Sequence, residues 1–242
     1  MINEIAISLN IEAPIAFRVN PDIDAGTHEN ISTGKADNKF GIPIDKAKEV
    51  YQYANKLEKI KIVGIDVHIG SQISNLNAFR QTFEHLAKLI HELKAVNIHL
   101  ENIDIGGGLG IKYKDDDLEP DLQEYSSLVK KILGNLNCRI IFEPGRYIVG
   151  NCGILVTKVL YKKTSQNKNF LITDAGMNDF SRTALYGAAH KLIPLSKKKS
   201  GKAGVFDIVG PVCESTDTFL KNHLVEGVEE GEFLAFLDVG AY

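Results

Sequence analysis

Three short segments of this 242-residue chain pair chemically useful side chains with backbone that can come close to a ligand. His68-Ile69-Gly70-Ser71-Gln72 offers an aromatic ring and a hydroxyl. Gly106-Gly107-Gly108-Leu109-Gly110 offers consecutive glycines, whose N–H groups can crowd around an anion such as a phosphate. Glu143-Pro144-Gly145-Arg146 offers a carboxylate and a guanidinium. Each has an ordinary explanation when taken alone. A glycine run is often a plain tight turn, a histidine at a strand end is more often structural than catalytic, and Glu-Pro-Gly-Arg could be a charged turn. Those explanations do not cover all three falling just past predicted strands of consecutive units, where α/β active sites collect. The glycine run is not a dinucleotide fingerprint, because Ile111 stands where G-x-G-x-x-G needs its third glycine.

Two more segments follow. Asp174-Ala-Gly-Met-Asn-Asp179 leads to Arg182 and Tyr186, and Gly210-Pro-Val-Cys-Glu-Ser215 sets a thiol beside a carboxylate. A lone cysteine is ordinarily a small buried hydrophobe. Pro211 and Glu214 on either side of Cys213 argue against core packing there.

The elements that must carry these segments show in the periodicity. Runs at 14–19, 60–67, 98–105 and 139–142 read as strands. Between them, helical spacing appears from Pro43 to Leu57, from Leu76 to Leu93 behind a cap at Ser74 or Asn75, and from Leu122 to Leu133. The alternation predicts βα units and a parallel sheet. After Gly150 only short strand-like runs follow (GILVTKVL, NFLITDA, FDIVG, EFLAFLDV), with no convincing helix between them. The expected fold class is therefore α/β: a partial (β/α) barrel over 1–148, then a mainly antiparallel β domain over 149–242. About four parallel strands fall short of the eight that a complete barrel needs. The long polar stretch Asn20–Lys39 is expected to be functional or disordered, and KKKSGK at 197–202 a solvated loop.

Composition removes several function classes. Lys plus Arg number 28 against 31 Asp plus Glu, a net charge of −3 that argues against a nucleic-acid binder. No apolar run approaches the ~18 residues of a membrane helix. MINEIAISLNIEAP has no basic start, so no signal peptide is expected. Cys138, Cys152 and Cys213 lack metal-ligand spacing; neither a disulfide framework nor a metal site is expected, and a reducing cytoplasm fits best.

In their order, RVNPDIDAGTHENISTG, KFGI, HIGSQI, DIGGGLGIKY, EPGRYIVGNCG, DAGMNDFSRTALYGAAH, GPVCESTD and DVGAY resemble the diaminopimelate decarboxylases. That family belongs to the alanine-racemase-like, fold-type III pyridoxal-phosphate enzymes, and the resemblance runs from about residue 17 to residue 242. It implies a βα barrel joined to a β domain, pyridoxal 5′-phosphate as cofactor, and conversion of meso-2,6-diaminopimelate to L-lysine and CO2, the last step of lysine biosynthesis. It also implies a homodimer with shared active sites. Carried over residue by residue, His68 stacks on the cofactor ring. Ser71 and Gly106, Gly107 and Gly108 hold its phosphate, helped by the backbone of Gly145 and Arg146. Glu143 sits against the pyridine nitrogen, where a carboxylate favours the protonated ring. Arg146 and Arg182 bind substrate carboxylates, with Tyr186 beside them. Glu214 meets the distal ammonium group, and Cys213, reaching in from the neighbouring subunit, delivers the proton. Tyr242 touches both phosphate and substrate.

The sequence departs from the family pattern in three places. The family's cofactor lysine lies in a motif with Tyr before it and Ala-Asn after it, and no such motif occurs here. Lys35 and Lys39 sit in KADNKFG, which matches a different family position. The Ser-Asn-Tyr-Asn-like segment that follows Gly-Ala-Tyr in the family is absent, and Thr183 replaces the usual proline after Arg182. The resemblance thus implies a chain truncated at both ends and inactive alone. Two other readings stand beside it. One is a sibling decarboxylase of ornithine, arginine or carboxynorspermidine, against which Glu214 counts, since ornithine-type enzymes carry aspartate after the cysteine. The other is a non-catalytic remnant that only associates with a partner chain.

Overall fold

The computed structural model describes residues 1–24, 34, 39–196 and 202–242. Most of the polar stretch 20–39, Lys35 included, and residues 197–201 of the lysine-rich run lie outside them. The chain forms two compact units. One is Met1–Ile111 with Leu118–Tyr147; the other is Lys112–Asp117 with Ile148–Tyr242.

The first unit opens with helix α1 (Ile2–Leu9), closed by Asn10 in the left-handed conformation. Strands β1 (Ala13–Asn20) and β2 (Ile42–Pro43), helix α2 (Ile44–Ala54), β3 (Ile60–Val67), α3 (Leu76–Lys94), β4 (Asn102–Asp104), α4 (Leu122–Leu133) and β5 (Arg139–Ile141) follow. The sheet is wholly parallel, in the order β2-β1-β3-β4-β5. Its fifth strand, β2, is a two-residue pairing too short for any period to reveal. The side chain of Asn75 caps α3 by accepting from the Asn77 N–H at 2.9 Å, and Asp121 caps α4 in the same way.

The run 98–105 pairs over only three residues, for an identifiable reason. Asn97 takes a positive φ of 61°, and the Ile98 N–H returns to the Leu93 carbonyl at 3.0 Å, closing α3 in a Schellman turn. Ile98 and Leu100 are therefore core residues without being ladder residues.

Strand alternation divides the two faces of the sheet. Val19, Ile65, Val67 and Ile103 point into the helix layer and pack with Phe79, Phe83 and Leu86. The alternate positions Arg18, Asp66 and Asp104 are direct cross-strand neighbours on the other face. One face is thus the hydrophobic core, and the other carries a row of charge.

The second unit holds a six-stranded sheet in the order β10-β9-β7-β6-β11-β8. Its strands are β6 (Ile154–Thr164), β7 (Asn169–Thr173), β8 (Leu192–Pro194), β9 (Gly204–Val209), β10 (Thr218–Val225) and β11 (Phe233–Leu237). The pairing is antiparallel except between β7 and β9, so the sheet is mixed. Its core gathers Val159, Leu171, Ile208, Phe219, Leu234 and Phe236. Helix α5 (Arg146–Val149) runs up to Gly150, and contrary to the expectation of no helix after that glycine a short one occurs, α6 (Arg182–Tyr186). At five residues or fewer, neither is long enough to show a period. Among the described residues no helix is long and apolar enough to cross a membrane.

Candidate active site

The three segments singled out from the sequence follow β3, β4 and β5, neighbouring strands of one parallel sheet, and their loops are stapled together. Ile73 N–H donates to the Gly108 carbonyl at 2.9 Å, and Gly110 N–H returns to the Ile73 carbonyl at 3.0 Å. Gln72 bonds both ways with the Ile111 backbone, at 2.6 and 3.2 Å. Glu143 N–H donates to the Gly106 carbonyl at 2.8 Å. Arg146, 5% exposed, sends Nε and Nη2 to the Ser71 hydroxyl oxygen at 3.3 and 3.2 Å.

The glycines are required by this approach. Gly106 and Gly108 take φ of 66° and 103°. A Cβ on Gly107 would collide with the Glu143 carbonyl oxygen, and one on Gly108 would lie 2.6 Å from the Gly70 carbonyl oxygen. Beside Gly145 the space is open, with no atom of the described residues within 4 Å of where a Cβ would stand. The loops thus pack backbone against backbone at Gly107 and Gly108 and leave room beside Gly145. Two cradle amides already have acceptors in the chain: Gly106 N–H bonds Asp104 Oδ1 at 2.9 Å, and Gly107 N–H bonds His68 Nδ1 at 3.3 Å.

Because His68 Nδ1 accepts that bond, its proton resides on Nε2. Burial, followed by the nearby Arg18 guanidinium, holds the imidazole below its usual pKa, with the Asp104 carboxylate opposing them. The ring is neutral at pH 7, its orientation fixed by the glycine loop.

Beneath the loops, carboxylate oxygens of Asp66, Asp104 and Glu143 all lie within 4.8 Å of one another. Burial, reinforced by the Asp104 and Glu143 charges and opposed by Arg18, pushes Asp66 up to about 6, and its Oδ1 is buried without a hydrogen-bond partner among the described residues.

In the second unit, Arg182 starts α6 and is 6% exposed. Its Nη1 donates to the Tyr113 hydroxyl at 2.7 Å, and its guanidinium stacks 4.9 Å above the Tyr113 ring. The same Nη1 lies 3.5 Å from His190 Nε2. His190 Nδ1 lies 2.9 Å from the Leu237 carbonyl and must donate to it, which leaves Nε2 as an acceptor toward the guanidinium. Arg182 Nε is buried with no partner among the described residues. A buried guanidinium N–H left open in this way suits an incoming anion.

Tyr186 is half-buried at the end of α6. Cys213 and Glu214 are exposed on the β9–β10 loop. The Thr216 N–H and the Ser215 hydroxyl hold the Glu214 carboxyl below its ordinary range. Tyr242 is 74% exposed at the chain end.

Two descriptions of protein families match the chain. The pyridoxal-dependent decarboxylase pyridoxal-binding domain matches residues 1–150, and the C-terminal sheet domain of the same family matches residues 126–240. The chain belongs to the pyridoxal-dependent decarboxylase family. That family's cofactor is pyridoxal 5′-phosphate. Among curated relatives, the diaminopimelate decarboxylase of Aquifex aeolicus is 47% identical over 242 residues, and that of Vibrio cholerae 46% identical; all of this chain is covered in both. A crystal structure of diaminopimelate decarboxylase from Helicobacter pylori complexed with L-lysine superposes with a TM-score of 0.94 at 42% identity, again over the whole chain and over 60% of that structure. The chain spans 57% of the length of the two curated relatives.

Of the residues expected at the cofactor, all but Tyr242 are gathered in the first unit: His68, Ser71, Gly106–Gly108, Glu143, Gly145 and Arg146. Arg182, Tyr186, Cys213, Glu214 and Tyr242 belong to the second. Sequence reasoning missed Tyr113 and His190, which clamp Arg182, and Asp66 and Asp104, which surround Glu143. The acid row had a visible signal, since each acid is the polar alternate of an apolar strand run that ends in a motif already marked. Tyr113 had none, because nothing in GIKYKDDD announces contact with a residue 69 positions later.

The acid row makes a stability prediction. An acid whose folded pKa is raised stabilises the fold below its unfolded pKa, and that contribution is lost as pH rises through the folded value. For Asp66 the window is about pH 4 to 6. Asp66→Asn mimics the protonated form, so its stability relative to the natural chain should rise by about 1–3 kcal/mol between pH 4 and pH 7. Urea denaturation at the two pH values checks this; a difference that does not move with pH would refute the shift.

Proposed function

We propose that this chain serves the pyridoxal-phosphate-dependent decarboxylation of meso-2,6-diaminopimelate to L-lysine and CO2, with residues 1–148 as the cofactor-holding part of a βα barrel and 149–242 as a β domain carrying substrate and proton-donor groups. One observation carries the reading: three consecutive strand ends form a glycine cradle with no room for a Cβ at Gly107, flanked by His68, Ser71 and Glu143. That arrangement fits a phosphate joined to a flat aromatic ring. The names of the relatives, and the lysine held by the Helicobacter pylori enzyme, support the choice of substrate.

When bound, pyridoxal phosphate supplies an electron sink for the charge left by departing CO2. The chain's own residues do the rest. Gly106–Gly108, Ser71, Gly145 and Arg146 hold the phosphate, and His68 lies neutral against the ring. Glu143 accepts the hydrogen bond of the protonated pyridine nitrogen. Arg182, through its open Nε, and Arg146 receive carboxylates, with Tyr186 alongside. Glu214, ionised at neutral pH, receives the distal ammonium. The thiol of Cys213 delivers one proton to the carbon that lost CO2, acting across a homodimer interface in the cytoplasm. Tyr242 meets both phosphate and substrate.

No residue here matches the family's cofactor lysine, so the 242-residue chain alone is expected to bind the cofactor reversibly and release no CO2. Incubation with pyridoxal phosphate, borohydride reduction and peptide mapping test this. Stoichiometric trapping at one lysine together with CO2 release would overturn it. The chain joined to the preceding segment of the Aquifex aeolicus relative should yield lysine and CO2 in equal amounts. Ornithine consumed in preference would move the assignment to the sibling decarboxylases.

A further inference from the structure

We propose that Asp217 is a positioning residue: it fastens the Cys213–Glu214 loop to the segment that leads to Arg182, and thereby sets where the proton-donor thiol stands on its own chain, the place from which it reaches the neighbouring subunit. Asp217 is 3% exposed, and its two carboxylate oxygens are divided between two loops. Oδ1 accepts the Met177 N–H at 2.7 Å, from the Asp174–Asp179 segment. Oδ2 accepts the Val212 N–H at 2.7 Å, immediately before Cys213. The backbone of Asp217 closes the same loop, with its carbonyl taking the Gly210 N–H at 3.0 Å and its own N–H reaching the Glu214 carbonyl at 3.0 Å.

Two glycines make the join possible. A Cβ on Gly210 would fall on the Asp217 carboxylate, and one on Gly176 would lie 3.1 Å from the Val212 side chain and 3.2 Å from Pro211. The Thr216 hydroxyl adds a contact of 3.9 Å to the Met177 sulfur. Cys213 itself is exposed, so its place depends on the loop that bears it. Hydrogen bonds from backbone N–H to a buried carboxylate are charge-assisted, and truncating the acid leaves both N–H groups without acceptors.

The inference rests on the reading that Cys213 is the proton donor; the join between the loops does not. Two measurements on the 242-residue chain test it: amide hydrogen exchange at Met177 and Val212, and the rate of Cys213 alkylation by iodoacetamide, resolved from Cys138 and Cys152 by peptide mapping. Asp217→Ala should speed exchange at both amides about tenfold or more and change the Cys213 rate at least roughly threefold. Asp217→Asn, which keeps one acceptor oxygen, should fall between Asp217→Ala and the natural chain, and it decides the matter if the alanine variant does not fold. Asp207→Asn is the control for a merely structural role. It alters an equally buried carboxylate of the same unit, bonded to Lys168 and the Asn222 N–H at 2.8 and 2.7 Å, and should leave the Cys213 rate unchanged. Unchanged exchange in a folded Asp217 variant would overturn the proposal. So would Asp207→Asn shifting the Cys213 rate as much as Asp217→Ala does. If the loop results hold but meso-diaminopimelate fails to shield Cys213 in the extended chain, the functional reading falls and the positioning role of Asp217 stands.

Discussion

Gly107→Ala should weaken binding of pyridoxal 5′-phosphate by about 10- to 100-fold and destabilise the chain by about 1–3 kcal/mol. The new methyl group would collide with the Glu143 carbonyl oxygen. The N–H of that same residue bonds Gly106, so the loops after β4 and β5 would have to part. Parting them moves Glu143 and the glycine cradle together, which is why cofactor affinity and stability should fall in one variant. Gly145→Ala separates the two effects. Its Cβ would meet nothing within 4 Å, so the fold should keep its stability. If the open space there belongs to the cofactor, affinity alone should drop. Titration with pyridoxal phosphate, followed by its absorbance, and urea denaturation of both variants provide the readouts. Undiminished affinity in Gly107→Ala would remove the cradle from the cofactor site.

The sequence was most informative where a long period met a clear stop. Residues 122–133 were expected as a helix and form one, because Tyr125, Leu128, Val129 and Leu133 share a buried face behind the Asp121 cap. Residues 60–67 were likewise legible, since IKIVGIDV is a strand that buries one face on the helices. The reading failed where an element is too short to be periodic, as with β2, α5 and α6. The first residues, for which no element was expected, also form a helix, Ile2–Leu9, with Ala6 buried and Ile2, Ile5 and Ile7 exposed. The site was legible to the extent that backbone chemistry is local. Consecutive glycines announce a close approach, and Glu-Pro-Gly-Arg announces a turn with charges. What surrounds those groups was not legible. That Tyr113 and His190 clamp Arg182, that Asp217 takes N–H groups from two loops, and that Arg18, Asp66 and Asp104 share one row all depend on pairings between distant segments.

The largest expected effect concerns which amino acid the completed enzyme accepts, and it follows from the pairing of charges. On the proposed reading the substrate has an amino-acid group at each end, so a carboxylate as well as an ammonium must be recognised away from the reacting carbon. On that reading Arg182 takes the carboxylate and Glu214 the ammonium. Arg182 is fixed from three sides: stacked on Tyr113, bonded to its hydroxyl, and close to the acceptor nitrogen of His190. Its Nε is buried with no partner among the described residues. Holding it there already costs desolvation, which a carboxylate offsets and an aliphatic chain cannot. Ornithine and lysine bring the distal ammonium for Glu214 but no distal carboxylate, so the guanidinium would stay buried without its anion. A polar site left unpaired in this way discriminates by about 10⁴-fold. The chain completed with the preceding segment of a relative should therefore show a specificity constant for meso-diaminopimelate about 10⁴ times that for either simple diamino acid. Arg182→Ala should lower turnover of meso-diaminopimelate and narrow that gap. Arg182→Lys should not restore it, because an ammonium can neither stack flat on Tyr113 nor present Nε beside Nη1. Cys213→Ala should instead slow product formation while sparing cofactor binding, as expected for a group that only delivers a proton. Competition between the substrates in one reaction is the decisive measurement, and comparable specificity constants for ornithine and meso-diaminopimelate would show that the buried guanidinium serves the fold and not the substrate.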